Sequence, residues 1–241
     1  MAFLRILRRS IALALALGLG LTLVLIYLLP RVPPQDLPWT PLDLEAPVGS
    51  ATGGKIARLD GKACLVLLES ADIAYRPLAD TRHGQCGLDD GIAWEAGGLR
   101  TIRYQPAQPP LACPLAAALV LWEREVVQPA ATRMLGARVV SIEHFGSYSC
   151  RRIYGRATGD WSEHARARAI DVGGFVLADG RRIMVARDWA DPGSKGRFLR
   201  AVRDGGCRLF ATVLSPDYNA AHRDHFHLDE AERGTIWRAC R

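Results

Sequence analysis

Lysine is almost missing. Lys55, Lys62 and Lys195 are the only ones, so arginine carries nearly all the positive charge of a chain with a formal net charge of +6. The arginines are scattered, and no basic run is interleaved with stacking aromatics. That excludes the footprint expected of a nucleic-acid-binding surface. A basic surface facing anionic lipid or cell-wall polymer accounts for the charge equally well. Also absent are an internal repeat and any C-x-x-C pair among the six cysteines Cys64, Cys86, Cys113, Cys150, Cys207 and Cys240. Without such pairs a cysteine zinc site is disfavoured, and an even number of spread cysteines suits two or three disulfides in an oxidising compartment, with the pairing open. Charged residues make up 23% and hydrophobic ones 49%, a balance that fits a globular chain and not a disordered one.

A long hydrophobic run occurs once, at the N-terminus. Arg5, Arg8 and Arg9 precede an uncharged stretch, and its nineteen residues from Ile11 to Leu29 would cover ~28 Å as a helix, about the hydrocarbon thickness of a bilayer. The arginines predict that the N-terminal end stays in the cytoplasm. The exit, LLPRVPP, lacks the small-residue A-x-A pattern of a cleaved signal. Residues 1–30 are therefore read as a signal-anchor transmembrane helix, a cleaved signal being the alternative. Either way the body of the protein lies outside the cytoplasmic membrane. Residues 31–54 carry five prolines and a terminal glycine cluster, which predicts a stiff, extended linker.

The globular domain is placed at 55–241. It opens with the short apolar run CLVLLES and a turn-rich stretch through HGQCGLDDG. Pro114 to Leu135 is rich in helix formers, with Pro114 suited to a first turn, Pro129 expected to kink or divide the helix, and Gly136 as its stop. ARVVSIEHF reads as a strand. RAIDVGGFVLADGRRIMVARDW reads as two strands joined at Asp179-Gly180. SKGRFLRAVRDGG has helical spacing closed by Gly205-Gly206, and RLFATVL and DHFHLD read as final strands. The mixture, without regular βαβ alternation, predicts an α+β fold with a mostly antiparallel sheet and flanking helices.

Histidine is sparse too, but three of the six crowd into HRDHFHLD at 222–229. Earlier, SEHARARAID places His164 seven positions ahead of Asp171. Imidazole and carboxylate suit zinc, whose catalytic sites use three protein ligands and an open position. In a strand, His225 and His227 share one face while Phe226 points to the other, so one histidine can bind metal while its neighbour contacts substrate. His83 and His144 are isolated and receive no role; His222 reads as a supporting or surface residue.

SEHARARAID resembles S-x-H-x-x-G-x-A-x-D, the first zinc motif of D-Ala-D-Ala carboxypeptidases and related peptidoglycan endopeptidases. Ser162, His164, Ala169 and Asp171 match, whereas Ala167 stands where those enzymes usually have glycine. Asp224 to His227 resembles their second motif, an acidic residue followed at the third position by a zinc-binding histidine, and the H-x-H of the wider hedgehog group. From about residue 60 to 241 the chain is similar to the bacterial extensin-like C-terminal domain family. The resemblance implies a hedgehog/DD-peptidase-like fold and Zn2+ held by His164, Asp171 and His227. It implies Asp224 as general base and His225 as oxyanion stabiliser. Arg151 becomes the group engaging a substrate carboxylate, with Arg152 its competitor. The expected function is a membrane-anchored, periplasmic zinc metallopeptidase acting on peptidoglycan stem or cross-link peptides. The alternative is a non-catalytic cell-envelope module that retains the metal site. Two departures bear on activity: alanine at 167 resists a positive φ, and aspartate at 224 is a methylene shorter than glutamate.

Overall fold

A computed structural model describes residues 2–98, 100–231 and 239–241. Helix α1 (Ala2–Leu28) is apolar on every side beyond Arg9 and is exposed from Arg5 onward. It is long and apolar enough to cross a membrane. Three disulfides, Cys64–Cys113, Cys86–Cys150 and Cys207–Cys240, use all six cysteines. Together the helix and the bridges mark a secreted or extracytoplasmic domain.

The proline-rich segment does not run free as an extended spacer. Leu44 is buried in the domain core and Gln35 is buried within the segment itself, where its amide donates to the Asp43 carbonyl. A proline-rich backbone makes few internal hydrogen bonds, so its carbonyls need outside donors. Arg124 donates to the carbonyls of Leu44 and Ala46, and Lys55 Nζ donates to those of Leu37 (2.9 Å) and Thr40 (2.5 Å). These cations strap the segment to the domain.

The domain is a mixed α/β structure. Helices α2 (Thr52–Ile56) and α3 (Gly61–Ser70) come first. The CLVLLES run lies in α3, capped by Asp60 Oδ1, which accepts from the Ala63 amide at 2.8 Å. A small antiparallel sheet follows, formed by β1 (Ile73–Pro77), β4 (Gly91–Gly98) and β6 (Leu111–Ala112), with a separate hairpin of β2 (Thr81–His83) and β3 (Cys86–Leu88). The main sheet takes β5 (Arg103–Gln105), β7 (Val139–His144), β8 (Ala169–Leu177), β9 (Arg182–Met184), β10 (Thr212–Leu214), β11 (Phe226–Asp229) and β12 (Ala239–Cys240). Its order is β12-β10-β11-β8-β7-β5, with β9 also on β8. Pairs β5–β7 and β10–β12 are parallel and the others antiparallel.

Helix α4 (Cys113–Trp122) is buried at all ten residues, as a helix apolar all round must be. It does not continue straight into α5 (Gln128–Leu135). A π-turn over Glu123–Val127 intervenes, with the Gln128 amide donating to the Glu123 carbonyl. The widened turn delivers Pro129 to the first turn of α5, where its missing N–H costs nothing. Gly136 ends α5 with φ +70°, as expected. The second strand read from RRIMVARDW stops early: β9 gives way to α6 (Val185–Asp188), because the buried Asp188 accepts from the Met184 amide at 2.9 Å and fixes a turn there. Helix α7 (Ser194–Gly206) runs through the glycines expected to close it. A Cβ on Gly205 would lie 2.3 Å from Val126 Cγ1, so this glycine permits close helix approach and is not a stop.

Trp122 joins these layers: its ring meets Phe175 of β8 and Phe210, and its Nε1 donates to the Val202 carbonyl of α7 at 3.0 Å. On β11, Phe226 is fully buried edge-on to Trp189, with ring centroids 5.6 Å apart. Phe226→Ala should lower the unfolding free energy by about 3–5 kcal/mol in a denaturant titration. Phe145→Ala, at a ring 60% exposed, should cost less than about 1 kcal/mol in the same assay.

Candidate metal centre

Strand pairing builds the site. In the antiparallel register of β11 on β8, His227 faces Asp171 and Phe226 faces Val172. Side chains alternate along a strand, so Phe226 and Val172 go into the core while His227 and Asp171 meet on the opposite face. His164 comes from the 3-10 turn Glu163–Arg166, whose first amides Ser162 caps, its Oγ accepting from the His164 N–H at 3.4 Å. The turn ends at Ala167 with φ +51°. This is the conformation that glycine would adopt freely, so the alanine at this position holds a left-handed residue in place at the expense of local strain.

Three ligand atoms converge. His164 Nε2, Asp171 Oδ1 and His227 Nδ1 are separated by 3.2, 3.0 and 3.2 Å. Tetrahedral coordination with bonds of about 2 Å requires donor atoms roughly 3.3 Å apart. The triangle fits that spacing, and this group can hold a metal ion. The histidines are steadied from behind. His164 Nδ1 donates to the Ser147 carbonyl at 3.1 Å, and His227 Nε2 donates to Asp229 Oδ2 at 3.0 Å. The Ser147 loop is itself tied down, by Ser147 Oγ to the Pro110 carbonyl (2.6 Å), by the Ser149 amide to the His164 carbonyl (2.9 Å) and by the Cys86–Cys150 bridge.

The centre opens on a cleft of about 600 Å³, within the range of small-molecule and peptide sites. Arg151 lines it. Arg152 is engaged elsewhere, stacked 4.6 Å from the Trp161 ring and donating to the Gly159 carbonyl. His225 lines the cleft with Nε2 3.5 Å from Asp171 Oδ1, and its Nδ1 is 2.8 Å from Asp224 Oδ1. Asp224 itself is 40% exposed and stands behind His225, outside the cleft lining among the described residues. His222 joins the cluster, its ring 5.3 Å from that of His225 and its Nδ1 bonded to Asn219 Oδ1 at 2.8 Å. His83 is exposed on β2, and His144, at the end of β7, bonds to the Pro106 carbonyl. Residues that sequence reasoning passed over are Asp229, Tyr154, Trp161 and Tyr218, all on the cleft. For Asp229 a signal existed: it follows His227 by two positions on the same strand face.

Charge follows from this crowding. Burial pushes the Asp171 carboxyl up, but hydrogen bonds and charge from His164 and His227 outweigh it and hold the group well below the usual carboxylate range. Burial pushes His227 down, yet Asp171 and Asp229 on its two nitrogens raise it to about 9. His222 is lowered to about 4 by burial and by the neighbouring His225 and His227. In the metal-free site a proton on His227 thus balances the carboxylates. A raised histidine stabilises the fold fully below about pH 6.5, its unfolded value, and the contribution disappears as pH rises through about 9. Metal-free protein should therefore lose melting temperature between pH 6.5 and 9.5, a window in which Asp171 stays ionised and His222 neutral. Bound metal requires the deprotonated ring, so saturating zinc should abolish that loss; equal slopes with and without metal would refute the assignment.

A sequence-family model described as extensin-like protein C-terminus matches residues 62–241. No curated protein and no solved structure matches the chain. The match spans the main sheet, all three disulfides and every residue of the candidate metal centre, and the chain belongs to the extensin-like C-terminal family.

Proposed function

We propose that this chain is an extracytoplasmic zinc metallopeptidase, anchored in the bacterial inner membrane by α1, that hydrolyses peptide bonds in peptidoglycan stems or cross-links. The observation that carries the reading is the 3.0–3.2 Å triangle of His164, Asp171 and His227 set in the same cleft as His225 and Arg151. Two imidazoles and one carboxylate form a donor set suited to zinc. The motif resemblance to zinc D-Ala-D-Ala carboxypeptidases supports the choice of chemistry and, with the antiparallel pairing of β8 and β11, a related architecture. When bound, zinc supplies Lewis acidity and lowers the pKa of coordinated water to about 7.

The chain's own residues divide the remaining work. Donation of the His225 Nδ1–H to Asp224 leaves Nε2 with the lone pair, facing the cleft beside Asp171. His225 then takes a proton from the attacking water and passes it to the leaving amine, a step worth about 10²–10⁴-fold. Asp224 acts through His225, orienting the ring and stabilising it once protonated. This reverses the roles that the motif resemblance implies, in which Asp224 is the base and His225 steadies the oxyanion. The Arg151 guanidinium presents a planar fork to a substrate carboxylate, while Arg152 buttresses Trp161.

Full-length protein in detergent, incubated with zinc and purified peptidoglycan, should release new amino and carboxyl termini detectable by mass spectrometry of muropeptides. His225→Ala should keep the metal and lower kcat at least about 100-fold; Asp224→Asn should cost less. If Asp224→Asn is the more severe, the aspartate is itself the base. Wild-type protein that holds zinc and leaves every muropeptide intact would replace the peptidase reading with a non-catalytic envelope module.

A further inference from the structure

The two histidines of the triangle enter it by different nitrogens. His164 presents Nε2, because its Nδ1–H is taken by the Ser147 carbonyl at 3.1 Å. His227 presents Nδ1, which lies 3.0 Å from Asp171 Oδ1 and 3.2 Å from His164 Nε2, while its Nε2 meets Asp229 Oδ2 at 3.0 Å. From this we infer that Asp229 is a positioning residue of the metal centre: it fixes the tautomer and ring orientation of His227 so that Nδ1 is the metal-binding atom. The inference rests on the metal-centre reading above.

The carboxylate is unusually placed for any other duty. Its side chain is 4% exposed, and a buried carboxylate is costly unless paired and hydrogen-bonded. Among the described residues, the turn after β11 engages Oδ1, which accepts from the Ala231 amide at 3.1 Å. Oδ2 goes to the imidazole. A neutral acceptor, such as the carbonyl behind His164, would suffice to orient a ring. A carboxylate does more, since it makes the imidazole a stronger electron donor to the metal, and losing such a partner typically weakens metal binding about 10–100-fold. Strand geometry keeps the arrangement rigid. Residue 229 follows 227 on the same face of β11, and its backbone is paired to β8 at Ala169 and to β10 at Thr212.

The test uses full-length protein and zinc alone. Competition against a chelating indicator should give Asp229→Asn a zinc dissociation constant about 10–100-fold above wild type, with Co²⁺ substitution showing an altered visible absorption band. Melting in EDTA reports separately whether the substitution harms the metal-free fold. A second measurement needs no variant: nitrogen chemical shifts of isotope-labelled histidine in the zinc-loaded protein should show a ring with Nδ1 bound to metal and a proton on Nε2, in addition to one of the opposite kind. His164→Ala serves as the reference for loss of the centre. Wild type that binds zinc tightly while Asp229→Asn binds it equally well would overturn the role of Asp229 and leave the metal centre standing. Two rings both bound through Nε2 would do the same. Wild type that takes up no more zinc than His164→Ala would overturn both.

Discussion

Everything at the centre depends on the register of β11 against β8. Asp171 and His227 are cross-strand partners on one face of the sheet, and side chains alternate between the two faces along each strand. A slip of one residue would send His227 into the space Phe226 fills and lift a phenylalanine ring into the cleft. The register is held because Phe226 and Leu228 are fully buried, and removing their apolar surface from water is favourable only on that face. The hydrophobic core thus specifies the geometry of the His–Asp cluster without touching it.

The third member of the triangle arrives by a different logic. His164 sits in a short turn, not in a strand, and its position relies on caps: Ser162 at the front, the left-handed Ala167 behind, the Ser147 carbonyl under the ring. The Cys86–Cys150 bridge fastens the end of the Ser147 loop to the β2–β3 hairpin. Such a turn would otherwise be free to tilt, and a displaced imidazole would no longer close the triangle. Covalent and hydrogen-bonded staples replace what a sheet supplies to the other two residues.

How much of this could be read beforehand follows the same division. Period-two alternation in DHFHLD and the seven-residue spacing from His164 to Asp171 made the His164, Asp171 and His227 cluster legible, and Asp179-Gly180 marked the turn between β8 and β9. Helix α7 was visible in the spacing of Phe198, Leu199 and Val202. What escaped was set by distant partners. CLVLLES offers no period that separates helix from strand, and its place in α3 is shared with the bridge from Cys64 to Cys113. The packing of residues 31–54 hinges on Arg124, eighty positions from Leu44. Sequence placed Asp224 next to the histidine cluster, but which way a loop carboxylate turns is decided by the ring it meets, and here that ring is His225.

The strapped segment has a mechanical meaning. Twenty-four residues from 31 to 54, fully stretched, would span roughly 80 Å and let a tethered domain roam deep into a polymer mesh. With Gln35 already buried and Leu44 locked under Arg124, only a handful of residues after Leu28 remain as free leash. Under the proposed anchoring, the cleft would work close against the lipid surface, and anything farther out would lie beyond its reach.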